Sequence, residues 1–280
     1  MCKARNIHLT ITKDIGEFKK EWDLVFIPTE YIPPSYFPNS KCIMYGPQNF
    51  VFADGVWKRG QAFFPPHCFY TLLSDWVIDV QNEFGGLSMT PKSIPFAVDT
   101  EVFQPKELPK QYDCFVYFKN RHSSELETVL KELEKKGLSY KVITYGSYKE
   151  EEYIQTLHTS KFGIWLGRHE SQGFALEEAL SCNVPLLVWD CTSMFQEYSN
   201  DSPFYKEYKG RYALKATAIP YWDSTCGITF TKEEDLSFSL QTMLENYKIF
   251  HPREYIVKTL SPDACIERLL KEIDKVKQNE

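Results

Sequence analysis

The chain has 280 residues, of which 43% are apolar and 25% are charged, and this globular composition excludes a disordered chain. Its net charge of -6 argues against nucleic acid or an anionic membrane surface as the main partner. No apolar run approaches the roughly 20 residues that span a bilayer, so no transmembrane segment is expected. The N-terminus lacks a signal-peptide core, and the eight cysteines contain no C-x-x-C pair, which predicts a cytoplasmic protein with reduced thiols.

Alternating strands and helices are predicted along the first half of the chain. Helices are separated from strands by apolar periodicity, together with proline and glycine boundaries. The predicted strands are residues 7–11, 23–27 and 41–45, and the predicted helices are residues 16–22 and 69–84.

The third of these strands ends at a turn that contains Gly46, Gln48 and Asn49. Ligands of open parallel sheets lie beyond the carboxyl ends of the strands, so these three residues are candidates for contact with a substrate. His67, just before the second predicted helix, is a further candidate.

The second half of the chain continues the alternation. A capping box predicts that the helix at residues 123–136 is capped by Ser123 or Ser124, with Glu127 as the capping acid. Residues 201–229 are predicted to be mostly loop. The predicted strands are residues 113–118 and 140–145, and the predicted helices are residues 123–136, 150–159, 192–198, 232–247, 252–259 and 262–276.

The central feature of the sequence is the stretch KFGIWLGRHESQGFALEEALSCNVPLLVWD, residues 161–190. It predicts a strand at 162–166, a helix at 174–182 and a strand at 185–190, hence a βαβ unit in a parallel sheet. Glu170 lies in the loop after the first strand, and Glu178 lies on the helix. Because a helix N-terminus favours phosphate and a glutamate can accept hydrogen bonds from a ribose diol, we predict a nucleotide-diphosphate site.

Glu170 and Glu178, with seven residues between them, resemble the E-x7-E motif of the retaining GT-B glycosyltransferases called group 1 or family 4. The surrounding Gly-Phe, Glu-Ala-Leu and Asn-Val-Pro segments resemble the same family. The resemblance implies a GT-B-like α/β fold of two Rossmann-like domains with parallel sheets facing each other across a cleft. The alternative is that Glu177 and Glu178 only stabilise the helix start, by roughly 0.3–1 kcal/mol each.

The resemblance also implies roles for individual residues. Glu170 would orient the donor sugar, Glu178 would bind the ribose, and Lys119 and Arg121 would stabilise the departing diphosphate, so that Glu170, Lys119 and Arg121 are the catalytic candidates. Tyr145 and Gly146 would meet the nucleotide base. The donor-binding candidates are Glu178, Ser171, Gln172, Gly173, Phe174, Tyr145, Gly146 and His169.

Residues 94–105 resemble the stretch with which these enzymes leave their first domain, although Ala97 replaces the usual glycine. We therefore predict a shortened N-terminal, acceptor-side domain at residues 1–108 and a nucleotide-sugar-binding domain at residues 109–280. The family also implies that the last helix crosses back to the first domain.

The predicted function is transfer of a hexose-like sugar from a nucleotide-diphosphate donor, UDP- or GDP-linked, to a hydroxyl of a glycan, lipid or protein. The resemblance implies retention of configuration, and no metal or other cofactor is expected. The chain has no D-x-D, G-x-G-x-x-G or phosphate-loop pattern. The alternatives are a nucleotide-sugar epimerase or hydrolase, and a nucleotide-sugar binding protein without catalysis.

Overall fold

The computed structural model describes residues 7–28, 31–47, 64–84, 89–193 and 215–278. The chain divides into two compact units. Unit 1 comprises residues 1–97 and 262–280, and unit 2 comprises residues 98–261. None of the helices in the described ranges combines the length and the apolarity that crossing a membrane requires.

Unit 1 contains a four-stranded sheet with the order β1-β2-β3-β4, in which every neighbouring pair is parallel. The central strands are buried on both faces, as expected for a parallel sheet covered by helices. The strands are β1 (Val25–Ile27), β2 (Ile43–Tyr45), β3 (Cys68–Leu72) and β4 (Lys92–Ser93), and the helices described before residue 97 are α1 (Ile15–Phe18) and α2 (Asp75–Phe84), with a 3-10 turn at Pro34–Tyr36.

Unit 2 contains a five-stranded parallel sheet with the order β6-β5-β7-β8-β9. Its core includes Val116, Ile164 and Leu187 from three adjacent strands, packed with Leu133 and Leu240 from helices. The strands are β5 (Tyr112–Phe118), β6 (Tyr140–Thr144), β7 (Ser160–Leu166), β8 (Leu186–Trp189) and β9 (Gly227–Phe230). The helices among the described residues are α3 (Ser123–Lys135), α4 (Glu150–Thr159), α5 (Phe174–Ser181), α6 (Leu236–Asn246) and α7 (Pro252–Leu260), with 3-10 turns at Glu233–Asp235 and Tyr247–Ile249.

The last helix, α8 (Pro262–Gln278), belongs to unit 1. Its Ile273 is buried in a cluster with Met44 and Phe69 of the unit 1 sheet, and Leu269 and Val276 pack against the same cluster. These three positions on α8 are spaced by four and three residues, so that they share one helix face.

The two compact units meet in the sequence at residue 97, about ten residues before the predicted boundary at 108. The segment after residue 97 is held within unit 2 by hydrogen bonds. The N–H of Val98 donates to the carbonyl oxygen of Leu260 at 2.9 Å. The guanidinium of Arg253 donates to the carbonyl oxygens of Thr100 at 3.2 Å and Phe103 at 3.1 Å.

Most of the predicted elements of the second half are present, but the first half contains two errors. Residues 69–84 were predicted to form one helix, whereas strand β3 occupies Cys68–Leu72 and helix α2 begins only at Asp75. A strand that is buried on both faces is a continuous apolar run, and periodicity does not separate such a run from a buried helix. The predicted strand at residues 7–11 is absent, and Leu9 and Ile11 are exposed there.

The second half contains two smaller corrections. Strand β9 (Gly227–Phe230) begins within the segment 201–229 that was predicted to be mostly loop. The N-cap residue of helix α3 is His122 rather than Ser123 or Ser124, and the capping acid is Glu125 rather than Glu127, because the N–H of His122 donates to the Glu125 carboxylate at 3.2 Å. The predicted helix at 192–198 lies almost entirely outside the described residues.

Candidate functional site

The carboxyl ends of three neighbouring strands meet at one edge of the unit 2 sheet. Phe118, the last residue of β5, pairs with Thr144 of β6 on one side and with Leu166 of β7 on the other. The N–H of Tyr145 donates to the Phe118 carbonyl and the N–H of Lys119 donates to the Leu166 carbonyl, both at 2.9 Å. In the strand order this is the point at which the chain switches direction across the sheet, where α/β proteins bind their ligands.

Lys119 and Glu170 form an ion pair at this switch point. The Nζ atom of Lys119 lies 2.5 Å from Oε1 of Glu170, and the two side chains are 16% and 14% exposed. The same Nζ lies 4.4 Å from the centroid of the Tyr145 ring, within range of a cation–π interaction. Residues that follow three different strands are thus in contact, although they are far apart in the sequence.

The loop from Glu170 to Gly173 brings the acid to the start of helix α5. Gly173 has a φ of 98°, and a Cβ atom there would lie 3.5 Å from the Cβ of Glu170 and 3.6 Å from the carbonyl oxygen of Ala218. These are ordinary contacts, so the backbone conformation rather than a lack of space favours glycine. Gly173, the N-cap residue of α5, therefore lies next to the Glu170 side chain, and the first N–H groups of the helix, which have no acceptor within it, follow directly.

Gln172 and Glu177 form a buried polar pair behind this loop. Nε2 of Gln172 donates to Oε2 of Glu177 at 2.9 Å, and Gln172 is only 1% exposed. Burial raises the pKa of Glu177 well above its ordinary value, and its buried Oε1 has no hydrogen-bond partner among the residues that the structure describes. Gln172 was predicted to bind the donor. Its side chain binds Glu177, and this hydrogen bond stabilises the loop from Glu170 to Gly173.

Glu178, the next residue on α5, is less buried than Glu177. Burial raises the pKa of Glu178 to about 8, and the negative charge of Glu150 adds to this shift. The carboxyl group is therefore mainly protonated at neutral pH. A protonated carboxyl group both donates and accepts hydrogen bonds, which suits a partner that carries two adjacent hydroxyl groups.

Arg121 is placed differently from Lys119. Its side chain is fully buried, and Nε and Nη2 donate to the two carboxylate oxygens of Glu125 at 2.8 and 2.6 Å. Nη1 donates to the carbonyl oxygens of Gly167 at 3.1 Å and Trp189 at 3.0 Å. Since four of the five guanidinium donors are engaged, Arg121 ties the ends of β7 and β8 to helix α3 and does not present a free cation to a ligand.

The other donor-binding candidates of unit 2 line the same region to different degrees. Phe174 is exposed, Ser171 is half-buried and His169 is buried. Gly146, in the turn after β6, has a φ of 78° and nothing within 4 Å of a Cβ atom added there. The turn after Tyr145 is therefore open on the side of its glycine.

The two candidates of unit 1 that the structure describes, Gly46 and His67, lie at opposite ends of the sheet. Gly46 follows the carboxyl end of β2, and a Cβ there would lie 2.4 Å from the carbonyl oxygen of Thr71. His67 precedes β3, at the opposite end of this parallel sheet, and its carbonyl oxygen accepts from the N–H of Ile43 at 3.0 Å. Gln48 and Asn49 lie outside the described residues.

Tyr148 is a site residue that the sequence analysis missed. Its hydroxyl lies 3.4 Å from that of Tyr117, on the strand that leads to Lys119. Burial raises the pKa of Tyr148, and the charges of Glu178 and Glu170 add to the shift, which places this hydroxyl in the field of both acids. The sequence signal for Tyr148 was its position three residues after Tyr145, which was already a candidate for contact with the nucleotide base.

Asp190 is a second missed residue, and it acts on the loop indirectly. Its carboxylate accepts from the hydroxyl of Thr217 at 2.8 Å and from the N–H of Ala218 at 2.7 Å. The carbonyl oxygen of Thr217 in turn accepts from the N–H of Glu170 at 3.0 Å. The sequence signal for Asp190 was an acidic residue placed directly after a buried strand.

Within the described ranges, no three His, Cys, Asp or Glu side chains are grouped in a way that could hold a metal ion.

Known structures share this α/β arrangement. A mutant of TarM of S. aureus, in complex with fondaparinux, alpha-GlcNAc-glycerol and UDP, superposes with a TM-score of 0.54 at 12% identity, over 85% of this chain and 51% of that one. Sucrose-phosphate synthase of Thermosynechococcus elongatus gives 0.54 at 10% identity, over 86% and 69%. AviGT4, a glycosyltransferase involved in avilamycin A biosynthesis, gives 0.55 at 11% identity, over 94% and 76%.

These similarities establish the class of fold: the chain has a GT-B-like α/β fold with two parallel sheets. The chain spans about half the length of the TarM structure. No protein-family model and no curated protein sequence matches it.

Proposed function

We propose that this protein is a glycosyltransferase that moves a sugar from a nucleotide-diphosphate donor to an acceptor hydroxyl. The observation that carries the proposal is the contact of Lys119 with Glu170 at the switch point of the unit 2 sheet, beside the start of helix α5. One cation, one acid and a helix N-terminus at such a point match the diphosphate and the sugar of one donor molecule.

Each group has a defined task in the proposed reaction. Lys119 and the first N–H groups of α5 stabilise the negative charge that grows on the departing diphosphate. Glu170 orients the donor sugar and stabilises the positive charge at its anomeric carbon. Glu178 binds the ribose diol. With Lys119 in this place, the proposed reaction needs no metal ion, and retention of configuration is proposed on the resemblance of the Glu170–Glu178 stretch to retaining enzymes.

The donor is proposed to be a UDP- or GDP-linked hexose. The UDP in the TarM complex supports the uridine nucleotide as the first to test. The acceptor is proposed to be a hydroxyl of a glycan, a lipid or a protein. Arg121 is not included among the diphosphate ligands, because its guanidinium is occupied by Glu125 and two backbone carbonyl groups.

Product analysis tests this proposal. The full chain is incubated with UDP-, GDP- and ADP-sugars, with and without a mixture of acceptors, and with EDTA in parallel. We expect release of nucleoside diphosphate that depends on an acceptor and persists in EDTA, and that falls strongly in Glu170→Gln. Transfer of the sugar to water alone would indicate a hydrolase, and an isomerised donor would indicate an epimerase. Donor binding without turnover would indicate a binding protein. Each of these results would contradict sugar transfer to an acceptor.

A further inference from the structure

The ion pair of Lys119 and Glu170 joins two groups that the proposed reaction needs for separate tasks. Lys119 is required at the phosphates, and Glu170 is required at the sugar, yet the two side chains lie 2.5 Å apart. A carboxylate at that position also repels a diphosphate brought to Lys119. The pair therefore competes with the ligand that it is proposed to bind.

The backbone on both sides of the pair is fixed. The N–H of Lys119 donates to the carbonyl oxygen of Leu166, and the N–H of Glu170 donates to the carbonyl oxygen of Thr217. The hydroxyl of Thr217 in turn donates to the carboxylate of Asp190. An exchange of partners is consequently confined to rotation of the two side chains. Because both side chains are about 15% exposed, such rotation does not require the core of unit 2 to open.

The charges favour this exchange when a donor arrives. A diphosphate brings at least two negative charges and several acceptor oxygens to one ammonium group, against a single carboxylate in the resting pair. The Tyr145 ring, 4.4 Å from Nζ, provides a second partner for the ammonium. The released carboxylate is then available to hydroxyl groups of the sugar.

We infer that the Lys119–Glu170 ion pair is a latch opened by the diphosphate of the donor: Lys119 exchanges Glu170 for phosphate oxygens, and Glu170 is thereby released to the donor sugar. This inference rests on the proposed function. On this inference, Glu170 competes with the diphosphate for Lys119 and also takes part in sugar transfer. Removal of its carboxylate should therefore raise the affinity for nucleotide and lower the turnover.

Calorimetric titration of the full chain with UDP, GDP, ADP and inorganic pyrophosphate tests the latch. We expect Glu170→Gln to bind the nucleotide preferred by the wild type about fivefold or more tightly, while its turnover falls. Lys119→Met should bind more weakly than the wild type, and the double variant should lose the gain. Asp113→Asn is the matched control, because it removes the acid of another ion pair, with Lys161 at 2.6 Å, and changes the net charge equally.

The outcomes separate the latch from the function. If the wild type binds a nucleotide and Glu170→Gln binds it equally or more weakly, the latch is wrong and the donor site stands. An equal gain in Asp113→Asn would attribute the effect to net charge and would also overturn the latch. If neither the wild type nor Glu170→Gln binds any of the nucleotides, the proposed function fails and the latch fails with it.

Discussion

Two neighbouring acids on helix α5 have different surroundings, and burial sets the protonation of both. Glu177 is fully buried against Gln172, whereas Glu178 keeps partial access to solvent. Burial raises the pKa of both, that of Glu178 to about 8. In the folded protein at neutral pH, Glu178 therefore carries a proton that it lacks in the unfolded chain, and this difference makes folding stability depend on pH.

Glu178→Gln should flatten this pH dependence. The folded-state pKa is raised, so the contribution of Glu178 to stability is fully present below about pH 4.5 and is lost as pH rises through about 8. The slope of this loss is at most about 1.4 kcal/mol per pH unit. Urea unfolding of the wild type and the variant from pH 5 to 9 measures it. We expect the wild type to lose stability relative to the variant as pH rises.

Glu151→Gln is the control for this measurement, because Glu151 is an exposed acid on helix α4. It should follow the wild-type slope. Parallel curves for the wild type and Glu178→Gln would show that the Glu178 carboxyl group titrates normally in the folded protein.

Arg121 and Lys119 should behave differently when each is replaced by methionine. Arg121→Met removes four buried hydrogen bonds, and we expect a loss of about 3–5 kcal/mol in the free energy of unfolding. Lys119→Met should cost much less stability and should weaken nucleotide binding. Urea unfolding and nucleotide titration of both variants measure the two effects. A stable Arg121→Met that no longer binds nucleotide would return Arg121 to the diphosphate site.

At the scale of an element, the start of helix α5 depends on the backbone conformation of Gly173. Gly173→Ala should cost about 1–2 kcal/mol because of the positive φ, and it should also weaken nucleotide binding by displacing the first N–H groups of α5, which are proposed to bind the diphosphate. Gly137→Ala is the matched control. Gly137 has a φ of 66° and nothing within 4 Å of an added Cβ, and it lies between α3 and β6, at the opposite edge of the sheet.

Urea unfolding and nucleotide titration of the two alanine variants separate strain from function. We expect similar losses of stability and a loss of affinity in Gly173→Ala alone. Equal affinities in both variants would contradict a role for the α5 start in binding.

The elements of unit 2 could be predicted from the sequence more fully than those of unit 1. Helix α4 was predicted with the bounds that the structure has, since its acidic start and its amphipathic pattern are local signals. Strand β3 could not be separated from helix α2, because a strand buried on both faces carries no alternation. The strand predicted at residues 7–11 has the alternation but no neighbouring strand among the described residues.

Candidate site residues could be predicted from the sequence where they lie just after the ends of strands. Their side-chain directions could not be predicted. The positions of Lys119 and Glu170 follow from the ends of two predicted strands. The sequence did not show that Arg121 turns inward to Glu125, or that Gln172 turns inward to Glu177. Those directions are set by contacts between residues of different elements, which local patterns do not encode.

At the scale of the whole molecule, the prediction of a GT-B-like α/β fold is confirmed by the two parallel sheets and by the known structures that share them. We propose that the nucleotide donor binds in unit 2, where the strand order, the ion pair and the start of α5 converge. In unit 1, Gly46 lies at the end of a strand, and the identity of the acceptor stays a prediction.

Calorimetric titration of the wild type and Glu178→Ala with UDP, GDP and ADP, in EDTA, is the decisive test of the proposed nucleotide site. We expect one nucleoside diphosphate to bind the wild type. We also expect that Glu178→Ala, folded as judged by circular dichroism, binds that nucleotide more weakly by about 1–3 kcal/mol, through loss of the hydrogen bonds to the ribose. Absence of binding to the wild type, or equal binding to the variant, would contradict a nucleotide-sugar site at this edge of the sheet.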